Sequence, residues 1–118
     1  MLRYIPLWLF AFALLFGWED AQAVEADTTI HSTPTCTSST TTALAANLGR
    51  KAALFVNDGA ATIWINIGNS AVANTGIHLA ANGGSYYIAW DEANYDTDVI
   101  NCIVASTSVV LLVTEWSN

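Results

Sequence analysis

The chain has 118 residues, of which 53% are hydrophobic and only 11% charged, and its net charge is −7. That length holds one domain at most. The three basic residues, Arg3, Arg50 and Lys51, cannot neutralise a run of phosphates, which is where most affinity for nucleic acid arises, so a nucleic-acid partner is excluded. With two Cys, two His and no Gly-rich phosphate loop, the chain also lacks the residue sets of most metalloenzymes and nucleotide-dependent enzymes.

Residues 1–23 read as a secretory signal peptide. Arg3 supplies the basic start, Ile5 to Trp18 is an apolar run, and Ala21-Gln22-Ala23 has the small residues a signal peptidase needs, which places cleavage after Ala23. A retained anchor is the alternative, but a spanning helix needs roughly 20 apolar residues and Glu19-Asp20 interrupts this run. Membrane contact is therefore expected only through the leader, if it is retained. The leader holds Arg3, Glu19 and Asp20, so cleavage leaves 95 residues with two basic and eight acidic side chains and a net charge of −6. A domain of that size buries only about 60–65% of its unfolded surface and gains from a covalent staple.

Cys36 and Cys102 are the candidates for that staple, with two buried free thiols as the alternative. Export places them in an oxidising compartment, where closing so long a loop constrains the unfolded chain by about 4 kcal/mol.

Thr28 to Thr42 reads TTIHSTPTCTSSTTT, in which 11 of 15 residues are Ser or Thr and none is charged. With little to bury, this segment suits an extended arm or stalk that leads into a strand near Thr40–Ala45. The expected organisation is thus a leader over 1–23, an arm over 24–45 and a β-sandwich over 46–118.

From Lys51 onward, short apolar runs alternate with turn clusters at the 8–12-residue spacing of an antiparallel all-β sandwich or barrel, here of six to seven strands. Ala52–Asn57 is a strand, and Asn57-Asp58-Gly59 has the residues of a hairpin turn toward Thr62–Gly68. In that second strand Ile63, Ile65 and Ile67 share one face while Thr62, Trp64 and Asn66 share the other. Ile77-His78-Leu79 is a short extended piece. Ser85–Trp90 follows, with Tyr86, Ile88 and Trp90 on one side. Val99–Ala105 and Val109–Trp116 close the chain as a hairpin about Ser106-Thr107-Ser108. Cys102 shares a side of its strand with Ile100 and Val104, so a Cys36–Cys102 bridge is expected to clamp the Thr-rich arm onto that strand.

Two strands are apolar on both faces, Ala53-Leu54-Phe55-Val56 and Val109 to Val113. Strands of that kind are covered on both sides, so the second face implies contact with the arm, another subunit or a larger assembly.

No catalytic constellation emerges. No G-x-S-x-G elbow occurs, and His31 and His78 lack ligand spacing. The acidic run Asp91 to Asp98 places oxygen-bearing side chains at Glu92, Asn94, Asp96 and Asp98. That spacing suits a solvated loop and, less well, a calcium loop, since an EF-hand would require Gly where Thr97 stands and Glu where Ile103 stands. Trp64 opposes the Ile stripe and faces outward, where with Phe55 and Tyr87 it would form an aromatic binding surface for a glycan or a protein. No cofactor and no metal is expected.

The order of elements from Arg50–Asn57 through Ile63–Gly68, Thr75–Leu79, Gly83–Tyr87 and Val109–Trp116 resembles small β-sandwich structural proteins of bacteriophages. The resemblance implies a virion component without enzymatic activity, one that decorates, cements or projects from a capsid or tail. The leader departs from that pattern, because tailed-phage structural proteins usually assemble in the cytoplasm. Two expectations follow. The first is an exported structural β domain, in the periplasm, outside the cell or on a virion surface, that self-assembles or docks on a partner. The second is a secreted glycan-binding or adhesin-like module.

Overall fold

A computed structural model of the protein describes residues 28–118, so the leader and its cleavage site lie outside the described residues. Ten strands follow one another: β1 (Thr28–Ser32), β2 (Thr35–Cys36), β3 (Thr41–Leu44), β4 (Arg50–Asn57), β5 (Ile63–Ile67), β6 (Ile77–Leu79), β7 (Gly84–Ala89), β8 (Ile100–Ile103), β9 (Val109–Val110) and β10 (Leu112–Ser117). The all-β antiparallel class is as expected; the strand count exceeds the six or seven expected because the Thr-rich segment adds β1 and β2 and the expected last strand divides into β9 and β10. One four-stranded sheet has the order β1-β10-β4-β7, the other β3-β8-β5-β6, and β2 pairs with β9 between them.

Alternation dictates the layering. In β5, Ile63 and Ile65 are fully buried while Trp64 and Asn66 are half-buried on the outer side, the period of two read from the sequence. Phe55, Ile88 and Val113 from the first sheet meet Ile63, Ile65, Leu79 and Ile100 from the second in one core. Trp90 does not join Tyr86 and Ile88. β7 ends at Ala89, the Trp90 amide bonds to the Lys51 carbonyl at 2.8 Å, and the indole is 51% exposed.

The expected arm is built into the sandwich instead. β1 pairs with β10 through Thr28↔Ser117 to Ser32↔Val113, β2 pairs with β9, and β3 pairs with β8. Scarcity of apolar side chains in this segment does not leave it without structure. Thr has high strand propensity, and an edge strand is held through its backbone bonds on one side alone.

Neither expected hairpin forms. β4 lies between β10 and β7 in the first sheet, whereas β5 pairs with β6 and β8 in the second. Asp58 and Gly59 both keep negative φ, so the type I′ geometry is absent. Asn57 turns the chain across the core. Fully buried, it donates from Nδ2 to the carbonyls of Ala61 at 2.8 Å and Leu79 at 3.0 Å, and its Oδ1 accepts the Gly59 amide at 3.0 Å. Glycine at 59 is required by closeness, since a Cβ there would run into the Val109 side chain. Replacing Asn57 with Ala strands the buried Leu79 carbonyl and two part-buried backbone groups and should lower unfolding free energy by about 2–3 kcal/mol, read as an earlier urea midpoint with unchanged slope. Likewise β8 and β10 lie in different sheets. Residues 109–111 carry the chain between them, with Val109 paired to Cys36 and the Leu111 amide bonded to the Pro34 carbonyl at 2.9 Å.

Candidate functional site

The disulfide joins Cys36 on β2 to Cys102 on β8, with Cα atoms 5.6 Å apart, and both residues are fully buried in the core. Cys102 shares its inward face with Ile100, as the alternation requires. A bridge of this kind marks an oxidising, non-cytosolic environment. Among the described residues, no helix is long and apolar enough to cross a membrane.

At one end of the sandwich lies a polar cluster that the sequence reading missed. Between β10 and β4 the register slips so that Trp116 opposes Ala52 and Ser117 opposes Arg50, leaving Lys51 as a bulge residue. The bulge resets the alternation and turns Arg50 inward, where it is fully buried. Its Nε donates to Glu115 Oε2 at 2.8 Å, Nη1 to the carbonyls of Asp98 at 2.9 Å and Asp96 at 3.1 Å, and Nη2 to the carbonyl of Ala45 at 2.7 Å. Asn47 donates to the other Glu115 oxygen at 3.0 Å, and the Tyr95 hydroxyl donates to the Arg50 carbonyl at 2.6 Å. The signal was present in the sequence. Glu115 shares the parity of Val113 on an otherwise apolar face, and residues 24–118 offer only Arg50 and Lys51 to neutralise it.

This guanidinium also orders the acidic loop. Four of its five N–H donors are used, and two of those bonds hold the backbone of Asp96 and Asp98. The loop carboxylates bind within the loop, Asp96 Oδ1 to the Asp98 amide and Asp98 Oδ1 to the Val99 amide, and Asn94 Nδ2 reaches the Tyr87 carbonyl at 2.6 Å. Among the described residues, no three of His, Cys, Asp and Glu converge to hold a metal ion.

The expected aromatic surface is not assembled. Phe55 is fully buried in the core, because in β4 it shares parity with Ala53. Trp64 lies on the outer face of the second sheet and Tyr87 on the outer face of the first, on opposite sides of the sandwich. Trp64 instead meets His78 edge-on, with ring centroids 6.1 Å apart, and Tyr87 meets Trp116 edge-on at 6.3 Å.

Each outer face has its own chemistry. On the first sheet the cross-strand rows are Leu112–Val56–Ser85, Thr114–Leu54–Tyr87 and Trp116–Ala52–Ala89. None of these nine residues is charged, Tyr87 is 51% exposed and Leu112 40%. This is the second apolar side of β4 and β10, and the Thr-rich segment does not cover it: β1 extends the same sheet at its edge. On the second sheet the rows are His78–Trp64–Ile103 and Asn66–Asn101–Thr42. No protein-family model matches the chain, and no curated protein or solved structure does either.

Proposed function

We propose that the protein is a non-enzymatic, exported structural β domain that associates with a second copy of itself through the outer face of the β1-β10-β4-β7 sheet. The observation that carries this reading is the run of exposed Tyr87 and Leu112 with half-buried Leu54, Val56 and Trp116 on that face, which the described residues of the Thr-rich segment do not cover. Electrostatics favour a second copy as the occupant. Two chains of net charge −7 repel each other, and they approach at least cost through a surface without carboxylates. The Glu115 side chain between Thr114 and Trp116 turns inward to Arg50, which leaves the β10-β4-β7 rows without a charged side chain; His31 of β1 continues the Thr114 row at the sheet edge. Export is supported by the leader sequence and by the disulfide; a phage or virion setting is supported by the sequence resemblance.

Sizing by light scattering at micromolar concentration tests the assembly. The wild type should be dimeric or larger. Leu54→Asp should weaken association on the order of 100-fold, because it places an unpaired carboxylate in an apolar contact, and should leave the far-ultraviolet dichroism unchanged. A monomeric wild type with no partner captured from virions or envelopes would sink the proposal.

A further inference from the structure

We infer that the free edge of β1 is a second contact between copies of this chain, in which β1 pairs antiparallel with β1 of another copy about a two-fold axis at Ile30. The β1-β10-β4-β7 sheet then runs across the axis into the sheet of the other copy. This contact uses the edge of that sheet and not its face, so it goes beyond the association proposed above and stands without it.

The edges of the sandwich are not alike. A free edge presents unpaired N–H and C=O groups, and proteins blunt such edges by shortness, bulges, charge or cover. β6 has three residues and β3 four, with a register shift between Thr42 and Leu44. β7 is longer, but the acidic loop reaches its edge through Asn94 Nδ2, which takes the Tyr87 carbonyl. β1 has none of these devices. Its five residues include no Lys, Arg, Asp, Glu or Pro, Thr28 to His31 are all exposed, and its pairing with β10 runs in unbroken register. Among the described residues no strand lies on its other side.

Parity fixes which of its groups are free. The Pro34 carbonyl accepts from the Leu111 amide, and steps of two back along the same ladder bring Ser32 opposite Val113 and Ile30 opposite Glu115. Those residues direct their peptide groups to β10, so Thr29 and His31 direct theirs outward. A two-fold centred on Ile30 sets Thr29 opposite the partner's His31, and each such pair exchanges both of its backbone bonds. The same register sets Ile30 against the partner's Ile30. This side chain lies on the inner side of the sheet with Glu115 yet is 50% exposed, and the pairing covers each isoleucine with the other. Centred on His31 instead, the pairing would set Ile30 against a serine. Charge favours a second copy as the occupant, because the chain carries −7 and two such chains meet at least cost along an edge without carboxylates.

Two pairs of exchanged bonds and one apolar contact make a small interface, so the test captures it covalently. Residues opposed as Ile30 is to itself have Cα atoms about 4.5 Å apart, within the roughly 4.4–6.8 Å that a disulfide spans. Ile30→Cys is made in the Leu54→Asp background, which weakens the face contact, and is incubated with glutathione disulfide beside Thr29→Cys and His31→Cys in the same background. Ile30→Cys should give a disulfide-linked dimer at least tenfold faster than either neighbour, with the buried Cys36–Cys102 bridge intact by mass. Adding Thr29→Pro removes an N–H that β10 does not use, so it should slow the Ile30→Cys reaction at least fivefold at an unchanged melting temperature. Equal rates at the three positions, or a faster rate at 29 or 31, overturn the inference. So does a rate indifferent to Thr29→Pro, or the lack of any link through position 30, which is the result if another segment of the same chain covers this edge.

Discussion

Replacing Glu115 with Ala should destabilise the protein by about 3–5 kcal/mol, enough to leave a domain of this size largely unfolded at 37 °C. The guanidinium of Arg50 is fully buried, and among the described residues Glu115 is its sole charged partner. Removing the carboxylate leaves a cation out of water with only carbonyl dipoles around it, and removes the acceptor for Asn47. Arg50→Met should cost a similar amount, because it also frees the backbone of Asp96 and Asp98 and lets the 91–98 loop open. The double variant Arg50→Met, Glu115→Leu should recover much of either loss, since neither charge is then left unpaired. Urea titrations followed by tryptophan fluorescence measure all three. Additive single losses would show that the pair is not the source of the effect.

Removing the Cys36–Cys102 bridge should cost about 4 kcal/mol. The cysteines are 66 residues apart, and the loop-entropy model gives that value for a ring of this size. A bridge that only clamped a Thr-rich arm, as the sequence suggests, would give a local loss with the core intact. The structure requires a global one. Both sulfurs lie within the core, and β2, β3 and the β9 crossover converge beside them. The Cys36→Ala, Cys102→Ala variant should therefore lose its cooperative thermal transition well below the wild-type midpoint, with cleavage throughout 28–118 under limited proteolysis. Cleavage confined to 28–42 would restore the picture of a clamped arm.

What was legible in the sequence was whatever depends on neighbours along the chain. The alternation of Ile63, Ile65 and Ile67 against Trp64 and Asn66 fixes which side of β5 is inside, and Gly68-Asn69-Ser70 marks its end. Strand partners were not legible. Asn57-Asp58-Gly59 has hairpin composition, but its role is set by Leu79, 22 residues away, whose carbonyl needs the Asn57 amide. The aromatic surface failed for the same reason. Period-two reasoning separates Trp64 from Ile63, yet only the topology says that β5 and β7 belong to different sheets, which puts Trp64 and Tyr87 back to back. Phe55 was misplaced by its neighbour in sequence. In a strand apolar on both faces, Leu54 and Phe55 are equivalent until the bulge at Lys51 and the Arg50–Glu115 pair define which parity is buried.

The order of strands within the first sheet governs when the protein can fold at all. β10 is inserted between β1 and β4, so the two strands nearest the start of that sheet have no direct contact with each other. Of all consecutive strands, only β5 and β6 pair. Almost every pairing must wait for a distant segment, which is the topology that folds slowly and penalises early collapse. A nascent chain lacking residues 112–117 leaves β1 without a partner and one edge of β4 open, so the first sheet closes only once the whole stretch from Thr28 to Ser117 is on the same side of any barrier the chain crosses.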